Sequence, residues 1–144
     1  MKLIFLDIDG VLNRLGIENR TTTRWRGFIG MEPELVMRFN ELCENTQAKV
    51  VLSSTWRLDP DWREVMKANG LRCEFIDRTP SDGNERGEEV DEWLCAFLKK
   101  ETVEKYVIID DDSDFYPTQP LFKTDYREGL TAERAVAIHE YLNS

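Results

Sequence analysis

The sequence predicts one α/β domain in which helices flank a doubly wound parallel sheet. Short apolar runs alternate with segments of helical period, which is typical of a parallel sheet covered by helices. One of these runs, residues 106–109, is apolar throughout, as expected of an interior strand. A length of 144 residues suits a single ordinary domain with its own core, so we interpret residues 1–144 as one domain.

The first half of the chain contains two predicted strands, at residues 2–7 and 48–53. Residues 13–31 are polar and rich in Thr, Arg and Gly, and we interpret them as a long loop or small flap. Pro33 suits the first turn of a helix. The apolar positions that mark the buried face of this helix are Leu35, Phe39, Leu42 and Cys43.

The second helix is predicted to begin at Asp59-Pro60, an N-cap followed by proline, and to end at Asn69-Gly70. A third strand at residues 73–77 and a loop at residues 78–85 follow it. The third helix has the clearest amphipathic spacing in the chain. Its apolar stripe is Val90, Trp93, Leu94, Phe97 and Leu98.

The last predicted elements are the interior strand at residues 106–109, a short edge strand at residues 121–123 and a helix at residues 131–142. In doubly wound sheets, ligands bind at the carboxyl ends of the strands. We therefore expect function in the residues that directly follow each strand.

The composition argues against a membrane-spanning protein and against a non-specific nucleic-acid-binding protein. Hydrophobic residues make up 41% and charged residues 33%, and no apolar run approaches the roughly 20 residues that span a bilayer. The net charge of −9 argues against non-specific binding to duplex nucleic acid or acidic membranes. Three cysteines without a CxxC pair favour a reducing compartment, so we expect a cytoplasmic protein.

Acidic residues follow the first strand, in the sequence Asp7-Ile8-Asp9-Gly10. Side chains two positions apart on extended backbone point the same way, so both carboxylates can meet one cation or phosphate. Gly10 allows a sharp turn beside them. A solvated strand end followed by a turn would give the same tetrapeptide.

Hydroxyl residues follow the second strand, in the sequence Ser53-Ser54-Thr55-Trp56-Arg57. Hydroxyls and free N–H groups at a strand-to-helix junction can hold phosphate oxygens, and a guanidinium can assist them. Taken alone, this segment is equally typical of a helix N-cap.

A third cluster, Asp110-Asp111-Asp112-Ser113-Asp114, follows the fourth strand. Carboxylates packed this closely repel each other unless a cation compensates them. Oxygen ligands without a nearby His or Cys favour a hard ion such as Mg²⁺. Arg86, at the start of the third helix, supplies a positive charge that could neutralise phosphate, although alone it would be an ordinary surface arginine.

Together these segments resemble the four motifs of the haloacid dehalogenase (HAD) superfamily, whose fold is Rossmann-like. Residues 5–12 (FLDIDGVL) resemble the first motif and residues 51–57 (VLSSTWR) the second. Arg86 is similar to the basic third motif, and residues 108–111 (IIDD) are similar to the fourth. The resemblance extends over about residues 2 to 125.

The resemblance implies a phosphatase that works through an aspartyl-phosphate. Asp7 would be the nucleophile and Asp9 the general acid and base, since an Asp at this position separates the phosphatases from the dehalogenases of the superfamily. Mg²⁺ would be held by Asp7, the backbone carbonyl of Asp9, and Asp111. Asp110 and Asp114 would support the ion directly or through water.

The resemblance also implies residues that contact phosphate. We assign the second-motif hydroxyl to Ser54 because Trp56 follows it by two positions, with Ser53 as the rival. Arg86 would neutralise Asp7 and a phosphate oxygen. The further candidates for substrate contact are Gly10, Ser53, Thr55 and Arg57.

The substrate class stays open between two interpretations. Neither residues 13–31 nor residues 78–85 can fold as a separate cap domain, and a capless site suits a large substrate such as a phosphorylated nucleic-acid or protein end. A small phosphorylated molecule would need the flap as a lid. Four arginines of the flap favour a polyanionic substrate: Arg14, Arg20, Arg24 and Arg26. The overall acidity of the chain opposes one. Trp25, in the same segment, is a further candidate for substrate contact.

Two other interpretations compete with a phosphatase. A response-regulator receiver shares the doubly wound fold, but its acceptor Asp follows the third strand, where this chain has Asp77-Arg78-Thr79-Pro80. A HAD fold that binds without turnover is the second alternative. The oligomeric state is not predicted.

Overall fold

The structure is a computed structural model that describes residues 1–16, 24–25 and 28–144, with the backbone alone at residues 24 and 25. Its strands are β1 (Lys2–Leu6), β2 (Arg24–Trp25), β3 (Phe28–Ile29), β4 (Lys49–Leu52), β5 (Phe75–Arg78), β6 (Lys105–Asp110) and β7 (Leu121–Lys123). Its helices are α1 (Pro33–Thr46), α2 (Trp62–Ala68), α3 (Arg86–Phe97) and α4 (Ala132–Leu142).

Five of the strands form one parallel sheet in the order β5-β4-β1-β6-β7. Strand β1 lies at the centre, paired with β4 on one side and β6 on the other. Strand β6 is interior, as its apolar run predicted, and β7 is a short edge strand, as expected. The predicted doubly wound parallel sheet is therefore confirmed.

Alternate side chains of β1 enter two cores on opposite faces of the sheet, because successive residues of a strand point to opposite sides. Ile4 and Leu6 belong to the larger core, which α1, α2 and α4 cover. Leu3 and Phe5 belong to the smaller core beneath α3, where Phe5 meets Trp93 edge-on at 5.5 Å between ring centroids. Helices thus lie on both faces, as in other doubly wound folds.

The predicted start of the second helix is wrong by two residues. Residues Thr55–Leu58 form a 3-10 helix, and α2 begins only at Trp62. The cause is Asp59, whose carboxylate accepts a hydrogen bond from the Asp61 N–H at 2.8 Å. This local turn places Pro60 between two helices instead of at the start of one.

The third helix agrees with its predicted stripe except at one end. Val90, Trp93 and Leu94 are buried, whereas Leu98 lies just beyond the helix and is 50% exposed. Phe97 is half-buried and stacks on Trp93, so the stripe ends one residue earlier than predicted.

The segment predicted as a flap contains a small hairpin. Strands β2 and β3 pair antiparallel, with Trp25 opposite Phe28. Arg20 and Arg26, and the side chains of Arg24 and Trp25, lie outside the described residues, so their predicted contact with substrate stays a prediction. No cap domain is formed by the residues that the structure describes. Within the same ranges, no helix has the length and apolarity needed to cross a membrane.

Candidate active site

The candidate site lies where β1, β4 and β6 end at the same edge of the sheet. Asp7 directly follows β1, Ser53 follows β4 and Asp110 is the last residue of β6. Strand hydrogen bonds fix these positions, since the Asp7 N–H donates to the Ile109 carbonyl at 3.0 Å. The chain moves outward in opposite directions from β1, which makes this edge the topological switch point where such folds bind ligands.

Three carboxylates meet at this edge: Asp7, Asp110 and Asp111, hereafter the acid triad. One oxygen from each lies within 4.8 Å of the others. Asp7 and Asp110 are buried and Asp111 is half-buried. Oxygen ligands of an octahedral Mg²⁺ stand about 2.1 Å from the ion and hence roughly 3 to 4 Å from each other. The acid triad therefore offers oxygen ligands that could hold a small divalent cation.

Gly10 makes room for the acid triad. Its backbone has φ +81°, and a Cβ atom added there would lie 2.4 Å from Oδ2 of Asp111. Any other residue would thus push Asp111 away from the site. Contact between Gly10 and a phosphate stays a prediction.

Arg86 places its positive charge between the strands. Its Nη1 lies 3.1 Å from Oδ1 of Asp7 and 3.3 Å from Oδ2 of Asp110, and it also donates to the Ser53 carbonyl. The Arg86 N–H donates to Oδ2 of Asp114 at 3.2 Å, which ties the start of α3 to the acidic loop. The predicted basic residue therefore lies beside the predicted nucleophile.

Gly87 allows this close approach of helix and loop. A Cβ atom at Gly87 would lie 2.8 Å from Oε1 of Gln119 and 3.0 Å from the Phe115 backbone. The Gln119 amide donates to the Gly87 carbonyl at 2.9 Å. No local pattern singles out this glycine, because the contact joins residues 32 positions apart in the chain.

The acid triad carries more negative charge than Arg86 balances. Burial, followed by repulsion from Asp110, raises the pKa of Asp7 well above its usual value, against the opposing effect of Arg86. Burial likewise raises the pKa of Asp110 to about 7, although Arg86 lowers it. A divalent cation would relieve this repulsion.

Two side chains beside Asp9 were not assigned a role from the sequence. The Asn13 amide donates to Oδ1 of Asp9 at 2.9 Å, and the Trp56 indole N–H donates to the same oxygen at 3.3 Å. Asn13 and Trp56 are both fully buried. A tryptophan directly after a hydroxyl motif was the one available signal, and it served only to set the register of Ser54.

The two candidate serines have different surroundings. The Ser54 hydroxyl accepts a hydrogen bond from the Trp56 N–H at 3.2 Å and caps the 3-10 helix. The Ser53 hydroxyl is buried and has no hydrogen-bond partner among the described residues. Thr55, the third candidate hydroxyl residue, is exposed.

Arg57 is buried and bonded within the protein. It pairs with Glu89 at 3.1 Å and donates to the carbonyls of Ser54 at 2.8 Å and Thr79 at 3.1 Å. These contacts join the loops after β4 and β5 to α3. They occupy most of the guanidinium's donors.

Arg14 is the one flap arginine whose side chain the structure describes. Its Nη2 lies 2.6 Å from Oε1 of Glu32, and its backbone N–H donates to the same carboxylate at 2.7 Å. These bonds attach the base of the flap to the residue before α1.

A comparison with known protein families matches residues 3–135 to the family described as "HAD domain in Swiss Army Knife RNA repair proteins". The chain belongs to this HAD family. Membership confirms the resemblance to the HAD superfamily and supports a HAD-type phosphohydrolase as the general class of this protein. Comparisons with curated proteins and with solved structures gave no match.

The HAD family generally uses Mg²⁺, and the acid triad is a cluster that could hold such an ion. The description of the family is consistent with a phosphorylated substrate or a nucleic-acid end. Membership in a HAD family gives no support to the receiver interpretation. Asp77, which stands near the end of β5 where a receiver would carry its acceptor Asp, accepts a hydrogen bond from the Trp93 indole at 2.7 Å.

Proposed function

We propose that residues 1–144 act as one domain that hydrolyses a phosphomonoester in the presence of Mg²⁺, through an aspartyl-phosphate on Asp7. The observation that carries the proposal is the acid triad with Arg86 against it. A buried carboxylate that is 3.1 Å from a guanidinium and within 4.8 Å of two further carboxylate groups suits phosphoryl transfer.

In the first step, a carboxylate oxygen of Asp7 attacks phosphorus, and the bond from phosphorus to the leaving oxygen breaks. Asp9 donates a proton to that oxygen, which departs as an alcohol. Arg86 faces both Asp7 and the incoming phosphate, so its charge offsets the repulsion between the two anions.

In the second step, Asp9 accepts a proton from water as the water oxygen attacks phosphorus. The bond between phosphorus and Asp7 breaks, and inorganic phosphate and free enzyme result. Splitting one displacement into two makes each step easier. The same carboxylate thus acts first as acid and then as base.

Asp7, Asp110 and Asp111 would hold the ion, together with the backbone carbonyl of Asp9. When bound, Mg²⁺ supplies positive charge that draws the phosphate towards Asp7. The burial of Asp7 and Asp110 favours this arrangement, because few waters compete for their oxygens.

We assign the second-motif hydroxyl to Ser53 in place of Ser54. Its buried hydroxyl has no partner among the described residues and directly follows β4, whereas Ser54 uses its hydroxyl to cap a helix. We assign Arg57 to holding the loops of the site in place, since its donors face Glu89 and backbone carbonyls. Gly10 and Thr55 remain candidates for phosphate contact.

We further propose that the substrate is a phosphorylated RNA end. The description of the family, RNA repair, supports this choice. The described residues form no cap domain over the site, an arrangement that suits the end of a long chain. The acidic net charge of −9 predicts that affinity for the rest of the RNA is weak.

The test of the chemistry uses p-nitrophenyl phosphate. We expect hydrolysis with Mg²⁺, loss of activity with EDTA, and loss of activity in Asp7→Asn. Asp112→Asn is the matched control, since it removes an exposed carboxylate outside the acid triad and should keep activity. Hydrolysis that persists in EDTA or in Asp7→Asn would reject the mechanism.

The test of the substrate compares one RNA oligonucleotide bearing a 5′-phosphate with the same RNA bearing a 3′-phosphate. DNA versions, a nucleotide, a sugar phosphate and a phosphopeptide complete the panel. We expect the highest kcat/KM for one of the RNA ends. A higher value for the sugar phosphate or the phosphopeptide would reject RNA as substrate and leave the aspartyl-phosphate mechanism standing.

A further inference from the structure

Oδ1 of Asp9 is held by two donors, Asn13 at 2.9 Å and the Trp56 indole at 3.3 Å. Oδ2 accepts no hydrogen bond from the residues that the structure describes. An amide N–H and an indole N–H both donate, so two hydrogen bonds to this one oxygen fix the orientation of the Asp9 carboxyl group.

Both donors are in turn held by consecutive residues of the flap hairpin. Phe28 stacks on Trp56, with 4.6 Å between ring centroids and 26° between ring planes. The neighbouring carbonyl, that of Ile29, accepts a hydrogen bond from the Asn13 amide at 2.9 Å. Strand β3 thus contacts both groups that orient Asp9.

The remaining bonds of the donors leave them little freedom. The side-chain oxygen of Asn13, Oδ1, accepts a hydrogen bond from the Gly10 N–H at 2.9 Å, so both the oxygen and the nitrogen of its side-chain amide are bonded. The backbone N–H of Trp56 is fixed by the Ser54 cap, and its ring is fully buried. A buried indole needs a partner for its N–H, and Asp9 is that partner.

We infer that Trp56 is a positioning residue for Asp9, and that strand β3 of the flap, through Phe28 and Ile29, holds Trp56 and Asn13 in place for it. This inference rests on the proposed function, in which Asp9 protonates the leaving oxygen. It gives the flap hairpin a role in proton delivery that is separate from any contact between its arginines and the substrate.

The kinetic test uses the dependence of rate on the leaving group. p-Nitrophenolate can leave without being protonated. The leaving oxygen of an RNA end or of a simple alkyl phosphate needs a proton, so only these substrates need a well-placed acid in the first step. In Trp56→Phe we expect kcat/KM to fall about 10- to 100-fold for the alkyl phosphate, because kcat/KM reports the step that releases the leaving group and not the later attack of water. We expect kcat/KM for p-nitrophenyl phosphate to change only a few-fold.

Phe28→Leu keeps the indole and removes the stack, so it should give the same pattern with a smaller loss. Trp93→Phe is the matched control, because the Trp93 indole also donates to a carboxylate, that of Asp77, on the other face of the sheet. It should affect both substrates equally or not at all. Equal losses of kcat/KM on both substrates in Trp56→Phe would show a purely structural role and overturn the inference.

A second measurement does not depend on turnover. In a nitrogen–proton NMR spectrum of the whole chain, each of the four tryptophans gives one indole signal, assigned by Trp→Phe substitution. Asp9→Ala should shift the Trp56 signal and remove its protection from hydrogen exchange, and Phe28→Leu should reduce that protection. Asp77→Ala should affect the Trp93 signal alone.

A Trp56 signal that is unchanged in Asp9→Ala would overturn the inference whatever the activity. Wild-type protein that hydrolyses no phosphomonoester would instead reject the proposed function, and the indole signals would still decide whether Trp56 and the hairpin hold Asp9.

Discussion

At the scale of single residues, Gly10 matters for the space that it leaves. Oδ2 of Asp111 lies where the side chain of any other residue would begin, since a Cβ atom on Gly10 would be 2.4 Å from that oxygen. Gly10 also has a positive φ, which alone would favour glycine. The contact with Asp111 concerns the acid triad, whereas the positive φ does not. A glycine elsewhere in the chain with a positive φ but no such contact allows the two effects to be measured separately.

Gly10→Ala should abolish Mg²⁺-dependent activity, because Asp111 must move away from Asp7 and Asp110. Gly83→Ala is the control, since Gly83 has φ +86° and no atom of the described residues within 4 Å of its Cβ position. Both variants should lose about 1 kcal/mol of unfolding free energy from backbone strain. Activity assays and chemical denaturation of both variants provide the measurement. A Gly10→Ala enzyme as active as Gly83→Ala would contradict this role.

Ser53 and Ser54 differ in what their hydroxyls contact, so their alanine variants should fail in different ways. Ser53→Ala should lower kcat roughly 100-fold with little change in stability, because it removes a hydroxyl that bonds no other described group. Ser54→Ala should keep kcat within a few-fold and cost about 1 kcal/mol of stability, because it removes a helix cap. Steady-state kinetics and urea unfolding distinguish them, and a reversed pattern would restore Ser54 as the catalytic hydroxyl.

At the scale of elements, the buried pair of Arg57 and Glu89 joins three pieces of the fold. Glu89 lies in the first turns of α3, and Arg57 reaches it from the 3-10 helix while bonding the Thr79 carbonyl after β5. Because Arg86 begins the same helix, we expect this pair to help orient Arg86 towards Asp7. The stability of these elements is therefore coupled to the geometry of the site.

Glu89→Ala should cost about 3 to 5 kcal/mol of unfolding free energy, because it leaves the Arg57 charge buried without a partner. Arg57→Met combined with Glu89→Leu should recover much of that loss. Glu44→Ala is the control, since Glu44 pairs with Arg72 at 3.0 Å on the surface, where we expect about 0 to 1 kcal/mol. Urea unfolding of the wild type and the three variants provides the measurement. Equal losses for the buried and the exposed pair would contradict the proposed role.

At the scale of the whole molecule, the sheet brings like charges together at one edge. Strands β1 and β6 are neighbours, so Asp7 and Asp110 approach each other and Asp111 joins them. Arg86 compensates part of this charge, and the remaining repulsion opposes folding in the absence of a cation. Ion binding should therefore appear as a change in global stability.

Saturating Mg²⁺ should raise the Tm of the wild-type protein. At a concentration 100 times Kd, the ion adds about 2.7 kcal/mol, or roughly 5 to 10 °C for a chain of this size. Asp111→Asn should raise Tm without Mg²⁺, since it removes one of the repelling charges, and should lose most of the shift caused by the ion. Asp112→Asn, whose carboxylate is exposed, should keep that shift. A full Mg²⁺ shift in Asp111→Asn would exclude the acid triad as the ion site.

The sequence by itself determined the parallel α/β fold and the strand ends that carry the candidate site. These features depend on local properties, because the alternation of apolar runs and helical periods reports which segments become buried. The spacing of Asp7 and Asp9 and the position of Asp110 after an apolar run likewise need no knowledge of distant residues. The convergence of these acids with Arg86 then follows from the rule that parallel strands end together.

Only the tertiary structure decided the details of the site, because these depend on contacts between residues far apart in the chain. Three such details arise when separate elements pack: the Ser53 hydroxyl without a partner among the described residues, the pairing of Arg57 with Glu89, and the closeness of Gly10 to Asp111. The indole of Trp56 meets Asp9 across 47 positions, so no local pattern predicts it. The periodicity of the sequence predicts which face of a helix or strand is buried. Which side chains that face contacts depends on how the elements pack in the tertiary structure.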